Sequence, residues 1–339
     1  MFRSRAVASS AARAQGSPLP RIRRAAACLV AAVAVTLTAS CGTTTDSGTT
    51  SSKKDAASQE RTVETPDGPV KIPTAPKRII GLSYASAWLL DAEVPMVGVT
   101  DIDEDALTSD QKTAVKKMTI VGEGNELNFE KIASLHPDLI VISSPKHVPF
   151  NIGKLKPIAP VLSYPIAKPV DLLPSSLKVI DAAGEGGKGT AFKKAYDDKV
   201  AELRSTYADK LARTDWAVVN SGEAGKYSVY TETSWLGAVV KDIGARFVTV
   251  PGAPKGEFTY DLSFEEIGKL KDADVILVDG DGKNGEPVAE TKSLMAQQNW
   301  AALQAAKNKQ VHAVPGFFVS RYPEAMKILT QLETVLKSL

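Results

Sequence analysis

One pattern occurs twice in this chain: Phe-Glu-x-Ile-x-x-Leu, a short turn, then Asp and an unbroken apolar run. Phe129-Glu130-Lys131-Ile132-Ala133-Ser134-Leu135 passes through His136-Pro137 into Asp138-Leu139-Ile140-Val141, and Phe264-Glu265-Glu266-Ile267-Gly268-Lys269-Leu270 passes through Lys271-Asp272-Ala273 into Asp274-Val275-Ile276-Leu277. Upstream, Tyr84-Ala85-Ser86-Ala87-Trp88-Leu89 before Met96-Val97-Gly98-Val99 has a looser echo in Thr231-Glu232-Thr233-Ser234-Trp235-Leu236 before Phe247-Val248-Thr249-Val250. A lone helix-turn-strand pattern recurs by chance, but two echoes in the same order predict a duplicated lobe.

The apolar runs Leu139–Ile142 and Val275–Val278 do not alternate with polar residues, which marks strands covered on both faces by helices, as in parallel sheets. Further runs of strand length lie at 78–82, 96–100, 160–164, 216–220, 227–231, 247–250 and 310–314. The class is α/β. Between the repeats, Thr190 to Leu211 has no Pro or Gly and places Phe192, Ala195, Tyr196, Val200, Leu203, Tyr207 and Leu211 at helical spacing. It predicts one long helix of roughly 33 Å, stiffer than a Gly/Ser hinge.

The 339 residues are 43% hydrophobic, enough for about two domains with buried cores. Residues 1 to 40 hold Arg3, Arg5, Arg13, Arg21, Arg23 and Arg24 and no acid, followed by an apolar run from Ala25 to Ala39 and then Ser40-Cys41. This resembles a bacterial lipoprotein signal, although Thr38 stands where that signal usually has Leu. A membrane-spanning anchor is the other reading, but the run is shorter than the roughly 20 residues a span needs. Removing residues 1–40 takes Cys28 and six arginines away and leaves a net charge of −4. No basic surface for nucleic acid, no disulfide and no cysteine metal site then remain, since Cys41 would carry lipid. Residues 42–60 hold no large apolar residue, and the first hairpin is expected around Pro66-Asp67-Gly68. The expected organisation is a signal peptide at 1–40, a tether at 41–62, a first lobe at 63–189, the helix at 190–211 and a second lobe at 212–339.

The stretches Pro76-Lys77-Arg78-Ile79-Ile80-Gly81-Leu82-Ser83, Val121-Gly122-Glu123-Gly124 with Asn128-Phe129-Glu130-Lys131-Ile132, Leu135-His136-Pro137-Asp138-Leu139-Ile140 and Leu262-Ser263-Phe264-Glu265-Glu266-Ile267 resemble the helical-backbone class of ABC-transporter substrate-binding proteins. That class takes up ferric siderophores, haem and cobalamin. The resemblance implies two Rossmann-like lobes joined by a long helix, with a ligand cleft between them. It also implies that Glu130 and Glu265, at equivalent repeat positions, dock on arginines of the membrane permease. Locally, each glutamate also falls in a first helical turn after Asn128 or Ser263, where negative charge is favoured by about 0.3–1 kcal/mol. Ser263-Phe264-Glu265-Glu266 has the spacing of a capping box, which leaves Glu265 free while Glu266 caps.

A cleft ligand touches loops at the carboxyl ends of strands. Those loops supply Tyr84 and Trp88, Ser144 and Lys146, Tyr230 and Trp235, and Arg321 with Tyr322. Basic donors and aromatic walls suit a ferric siderophore. Trp88 and Trp235 serve equally as core packing, and Arg321, after two phenylalanines, serves equally in a surface ion pair with Glu324. His136, His147 and His312 are too scattered for a local metal cluster, although His147 beside Lys146 offers a haem ligand. No GxSxG, Walker or GxGxxG motif in the required context appears, and Gly280–Gly285 reads as a turn. The expected function is therefore not an enzyme. It is a monomeric lipoprotein on the outer face of the bacterial cytoplasmic membrane, held by a lipid anchor and needing no cofactor of its own. It captures a ferric siderophore, whose Fe3+ belongs to the ligand, for an ABC permease. Haem or cobalamin in the same role, and an envelope scaffold without transport, are the alternatives.

Overall fold

The computed structural model describes residues 59–100, 102, 107–123, 126–148, 150–282 and 284–339. The signal-like segment, Cys41 and most of the expected tether lie outside the described residues. Strands β1 (Glu60–Thr65) and β2 (Gly68–Pro73) form an antiparallel hairpin around Pro66-Asp67. The hairpin begins three residues earlier than expected, and Arg61 supplies the reason. Its guanidinium donates to the carbonyl oxygens of Asp181 and Ala182, both at 2.8 Å, at a helix end where orphan acceptors need donors.

The first lobe runs through β3 (Ile79–Ser83), α1 (Tyr84–Asp91), β4 (Met96–Val99), α2 (Ser109–Val115) and β5 (Thr119–Ile120). A small hairpin of β6 (Gly122–Glu123) and β7 (Glu126–Leu127) follows, then α3 (Phe129–Ser134), β8 (Leu139–Pro145), α4 (Ile152–Leu155), β9 (Val161–Ile166) and α5 (Leu172–Ala182). The sheet order is β5-β4-β3-β8-β9, parallel throughout. In β8, Leu139 and Val141 join the core that holds Trp88, Leu89 and Val179, whereas Ile140 and Ile142 join the one that holds Ile132 and Leu155. The run is unbroken because both faces of the pleat are buried.

The connecting helix, α6 (Gly186–Thr206), starts earlier than the predicted Thr190 and stops short of Leu211. At Tyr207 the backbone leaves helical values (φ −112°, ψ 21°), and α7 (Ala208–Arg213) follows, so the connection is one long helix plus a short one. Leu203 before the break and Leu211 after it enter the same core.

The second lobe comprises β10 (Asp215–Glu223), β11 (Lys226–Tyr230), α8 (Trp235–Asp242), β12 (Arg246–Phe247), β13 (Thr259–Ser263), a 3-10 helix at Phe264–Leu270 and β14 (Val275–Gly280). It ends with α9 (Ala289–Met295), α10 (Gln304–Lys307), β15 (Val311–Pro315) and α11 (Tyr322–Ser338). Its parallel part, β12-β10-β14-β15, repeats the first lobe's β4-β3-β8-β9. The predicted strand at 247–250 shrinks to the two residues of β12. Strand β11 folds back antiparallel along the same edge of β10 from Val219 onward, so β12 finds a free edge only at Asp215 and Trp216.

The aspartates of the repeat do the same work in both lobes. Asp138 accepts from the backbone N–H of Lys77 (2.7 Å) and Arg78 (2.9 Å), and Asp274 accepts from that of Asp215 (2.9 Å), in each case at the start of a neighbouring strand. The looser echo is real but displaced by one helical turn. Helices α1 and α8 are each eight residues long, follow Ser83 and Ser234, end in Asp91 and Asp242, and are followed two places on by left-handed residues, Glu93 (φ 56°) and Gly244 (φ 87°). Trp235 therefore corresponds to Tyr84, not to Trp88.

Candidate functional site

Elements from the two lobes meet at a hollow of about 110 Å³ lined by Tyr84, Pro145, His147, Lys168, Trp235 and Phe258, among others. Tyr84, Pro145 with His147, and Lys168 follow the carboxyl ends of β3, β8 and β9, which is where open α/β sheets bind ligands. The hollow is smaller than the roughly 300 Å³ that a drug-sized ligand fills, so a ligand of that size would extend beyond it. At its edge Phe318 is 51% exposed while its neighbour Phe317 is buried.

The two opposed aromatics, Tyr84 and Trp235, are set by the elbows before their helices. On the second lobe, Ser234 accepts from the Gly237 N–H (3.2 Å) and donates to the Thr231 carbonyl (2.7 Å). A Cβ at Gly237 would lie 2.0 Å from that carbonyl oxygen, so only glycine lets the turn close under Trp235. On the first lobe, Ser83 sits at φ 55°, a conformation costing a non-glycine residue about 1–3 kcal/mol. It is held there by the Thr100 hydroxyl, which accepts from the Ser83 N–H (2.9 Å), and by Ser86 Oγ donating to the Gly81 carbonyl (2.7 Å).

Around Trp235 the rings pack edge to face: Phe318 at 5.2 Å, Phe258 at 5.5 Å and Tyr230 at 6.2 Å between centroids. Tyr230 is itself buried, its hydroxyl donating to Asn220 Oδ1 (3.1 Å). Burial, reinforced by the nearby Asp279 charge, pushes its phenol up to about 12, so it stays protonated. Asp279 accepts from Thr291 Oγ1 (2.6 Å), and burial raises its carboxyl above the usual range.

The other expected ligand residues are placed differently. Trp88 is buried, stacks on Tyr84 (5.9 Å, 13°) and donates its indole N–H to the Ser320 carbonyl of the second lobe (2.8 Å). It supports the Tyr84 ring from behind. Ser144 is buried with its hydroxyl on the Val148 carbonyl (3.3 Å), while Lys146 is exposed.

Arg321, expected to reach a ligand or to pair with Glu324 at the surface, is only 4% exposed. It pairs with Glu324 Oε1 at 2.8 Å and, across the lobes, with Asp91 Oδ1 at 3.0 Å. Its guanidinium joins the lobes. Burial outweighs the attraction of Arg321 and lifts the Asp91 carboxyl to about 6. Tyr322 packs edge-on against Tyr196 (5.6 Å) and lines a different hollow, of about 440 Å³, with Val200, Arg204 and Asp242. Lys168 Nζ donating to the Gly256 carbonyl (2.7 Å) and the Val170 N–H donating to the Thr233 carbonyl (3.2 Å) complete the junction.

Glu130 and Glu265 are both exposed, each in the first turn after its cap residue. The capping box forms as expected, with the Ser263 N–H donating to Glu266 (3.0 Å). Glu266 also pairs with Lys269 (2.8 Å). Hydrogen bonds from its own backbone N–H and from Ser263 hold the Glu265 carboxyl below its usual range. His136 lies in the turn before β8 at φ 43°, its carbonyl accepting from Arg78 Nε (3.1 Å). Among the described residues no three metal-ligating side chains gather, and no helix is long and apolar enough to cross a membrane.

Sequence reasoning missed Phe258, Lys168 and Asp91. Phe258 stands in an irregular loop with no motif, but Asp91 carried a signal: an acid in the last turn of a helix opposes the macrodipole and calls for a cationic partner.

Comparison with known proteins agrees with this geometry. The iron(3+)-hydroxamate-binding protein YxeB of Bacillus subtilis is 28% identical over 283 residues, covering 80% of this chain and 83% of that protein. The Fe(3+)-citrate-binding protein YfmC of the same organism is 27% identical over 302 residues, covering 84% and 88%. The solved siderophore periplasmic binding protein from the fuscachelin gene cluster of Thermobifida fusca superposes with a TM-score of 0.69 at 28% identity, covering 78% of this chain and 98% of that one. The periplasmic binding protein family model matches residues 82–316. With two sheets repeating one parallel order and a cleft at their junction, the chain belongs to the periplasmic binding protein family, whose members bind substrates for transporters and are not enzymes.

Proposed function

We propose that this chain captures a ferric siderophore in the interlobe cleft and delivers it to the permease of an ABC importer. The observation that carries the reading is the pairing of Tyr84 and Trp235, equivalent residues of the two lobes, on one aromatic hollow at the sheet ends. Relatives named for ferric hydroxamate and ferric citrate support the ligand class. Tyr84, Trp235 and Tyr230 shape the site, Lys146 stands at its rim, and Trp88 and Arg321 hold the lobes that form it. Ser144 and Tyr322 are buried and do not line it. Glu130 and Glu265 are the exposed acids that meet the permease, one on each lobe. The protein acts as a monomer anchored through lipid on Cys41 to the outer face of the bacterial cytoplasmic membrane. Fe3+ is cargo carried by the siderophore, and no resident cofactor takes part.

Tryptophan fluorescence tests this directly, because Trp235 is partly exposed in the cleft whereas Trp88, Trp216 and Trp300 are buried. Saturable quenching by a ferric siderophore is the expected result. Quenching by haem or cobalamin alone keeps the transport role and overturns the ligand, and no response to any of them favours an envelope scaffold. Substituting Glu130 and Glu265 together by Ala should abolish uptake while leaving ligand binding intact. Uptake that persists would remove the docking role.

A further inference from the structure

Charge sorts ferric chelates into classes. Three singly charged hydroxamates cancel the charge of Fe3+, three doubly charged catecholates leave a trianion, and citrate complexes are anionic. A cleft built for an anion needs cationic donors free to turn toward it, with arginine forks the most effective.

Here the arginines are elsewhere. Among the described residues, Arg61 is in the β1–β2 hairpin, Arg78 and Arg246 lie at the opposite, amino ends of the sheets, and Arg204 and Arg213 are on α6 and α7. Only Arg321 follows the carboxyl end of a strand, and it is buried between Asp91 and Glu324. Lys168 donates to the Gly256 carbonyl, leaving exposed Lys146 and His147 at the rim of the first lobe. The second lobe presents Trp235, Phe258 and half-exposed Phe318, with carboxylates behind the rings and one exposed cation, Lys255, three residues before Phe258. Asp279 is buried beneath Tyr230, and Asp261 is hydrogen-bonded to Ser228 Oγ at 2.6 Å. An anion pressed against these rings would lose water without gaining a paired cation, which is costly, whereas a neutral complex with hydrocarbon spacers gains apolar contact.

We propose that the cleft selects ferric chelates without net negative charge, of the tris-hydroxamate type, over ferric citrate and ferric tris-catecholates. This rests on the ferric-siderophore reading above and adds its charge selectivity.

The test is fluorescence titration of the purified protein with ferrichrome, a neutral ferric tris-hydroxamate, with ferric citrate and with a ferric tris-catecholate at two salt concentrations. The hydroxamate should bind at least ~10-fold more tightly than either anion. Its affinity should change by less than about twofold between ~0.05 and ~0.5 M salt, because a neutral ligand is not screened. Tighter binding of either anion, falling steeply with salt, overturns the charge selection and leaves the siderophore reading standing. Failure of all three to bind overturns both. Phe318→Arg places a cation on an exposed position and should narrow the preference for the hydroxamate over citrate at least ~10-fold. An unchanged ratio in that variant, with its circular dichroism intact, contradicts the proposal.

Discussion

The two lobes share one parallel frame but close one sheet edge differently. In the first lobe β4 lies along β3 and β5 extends the sheet, so every strand runs the same way. In the second, β11 turns back along β10 and carries β13 outside it, leaving β12 only two residues of ladder. The consequence reaches the cleft. The returning hairpin brings Tyr230 under Trp235, and the loop before β13 brings Phe258, while the first lobe presents a single ring, Tyr84, with polar residues at its rim. The repeated frame thus supplies the scaffold and the opposed aromatic pair, and the antiparallel β11 makes the two walls chemically unequal.

The terminal aspartates of α1 and α8 give the largest expected contrast between the lobes. Arg321→Ala leaves Asp91 buried without its cation and should lower stability by about 3–5 kcal/mol in urea titration. Asp242→Ala leaves only the Tyr196 hydroxyl, which donates to Asp242 at 2.7 Å, without an acceptor, at a cost of about 1–3 kcal/mol. Equal losses would break the claim that only the first-lobe aspartate ties the lobes together.

The same residue predicts a pH dependence. The folded-state carboxyl of Asp91 is raised to about 6, so the stability it contributes is fully present below its unfolded value near 3.8 and is lost as pH rises through about 6. That contribution is about 3 kcal/mol, and Asp91→Asn should flatten the stability profile between about pH 4 and 6. An unchanged slope in the variant would assign the titration to another group.

Smaller effects separate the strand-capping aspartates. Asp138→Ala removes the acceptor of two backbone N–H groups and should cost about 1–2 kcal/mol, against about 0.5–1 kcal/mol for Asp274→Ala, which frees one. Thermal melts of the two variants read the difference, and the reverse order would mean that the repeat does not distribute its caps in this way. Smallest of all, Glu130→Ala and Glu265→Ala should each lower the melting midpoint only slightly, through the loss of a negative charge in an exposed first helical turn.

Much of the fold was legible because each repeat carries its own local information: a capped turn, an aspartate and a strand buried on both faces. The register of the looser echo was not, because Trp-Leu recurs one helical turn apart in α1 and α8, and sequence matching follows residue identity rather than position from the cap. Arg321 illustrates the other limit. Its partner Asp91 lies 230 residues away, and nothing local shows that a long cationic side chain after two phenylalanines turns inward instead of toward the cleft. Glu266 was readable as a cap because its partner, Ser263, is three residues away.

The most direct test of the central claim is the position of iron in crystals of the protein grown with ferrioxamine B, located by anomalous scattering at the iron edge. A single peak between Tyr84 and Trp235, at the carboxyl ends of both sheets, is the predicted result. Iron bound anywhere else on the molecule would contradict the assignment of this cleft.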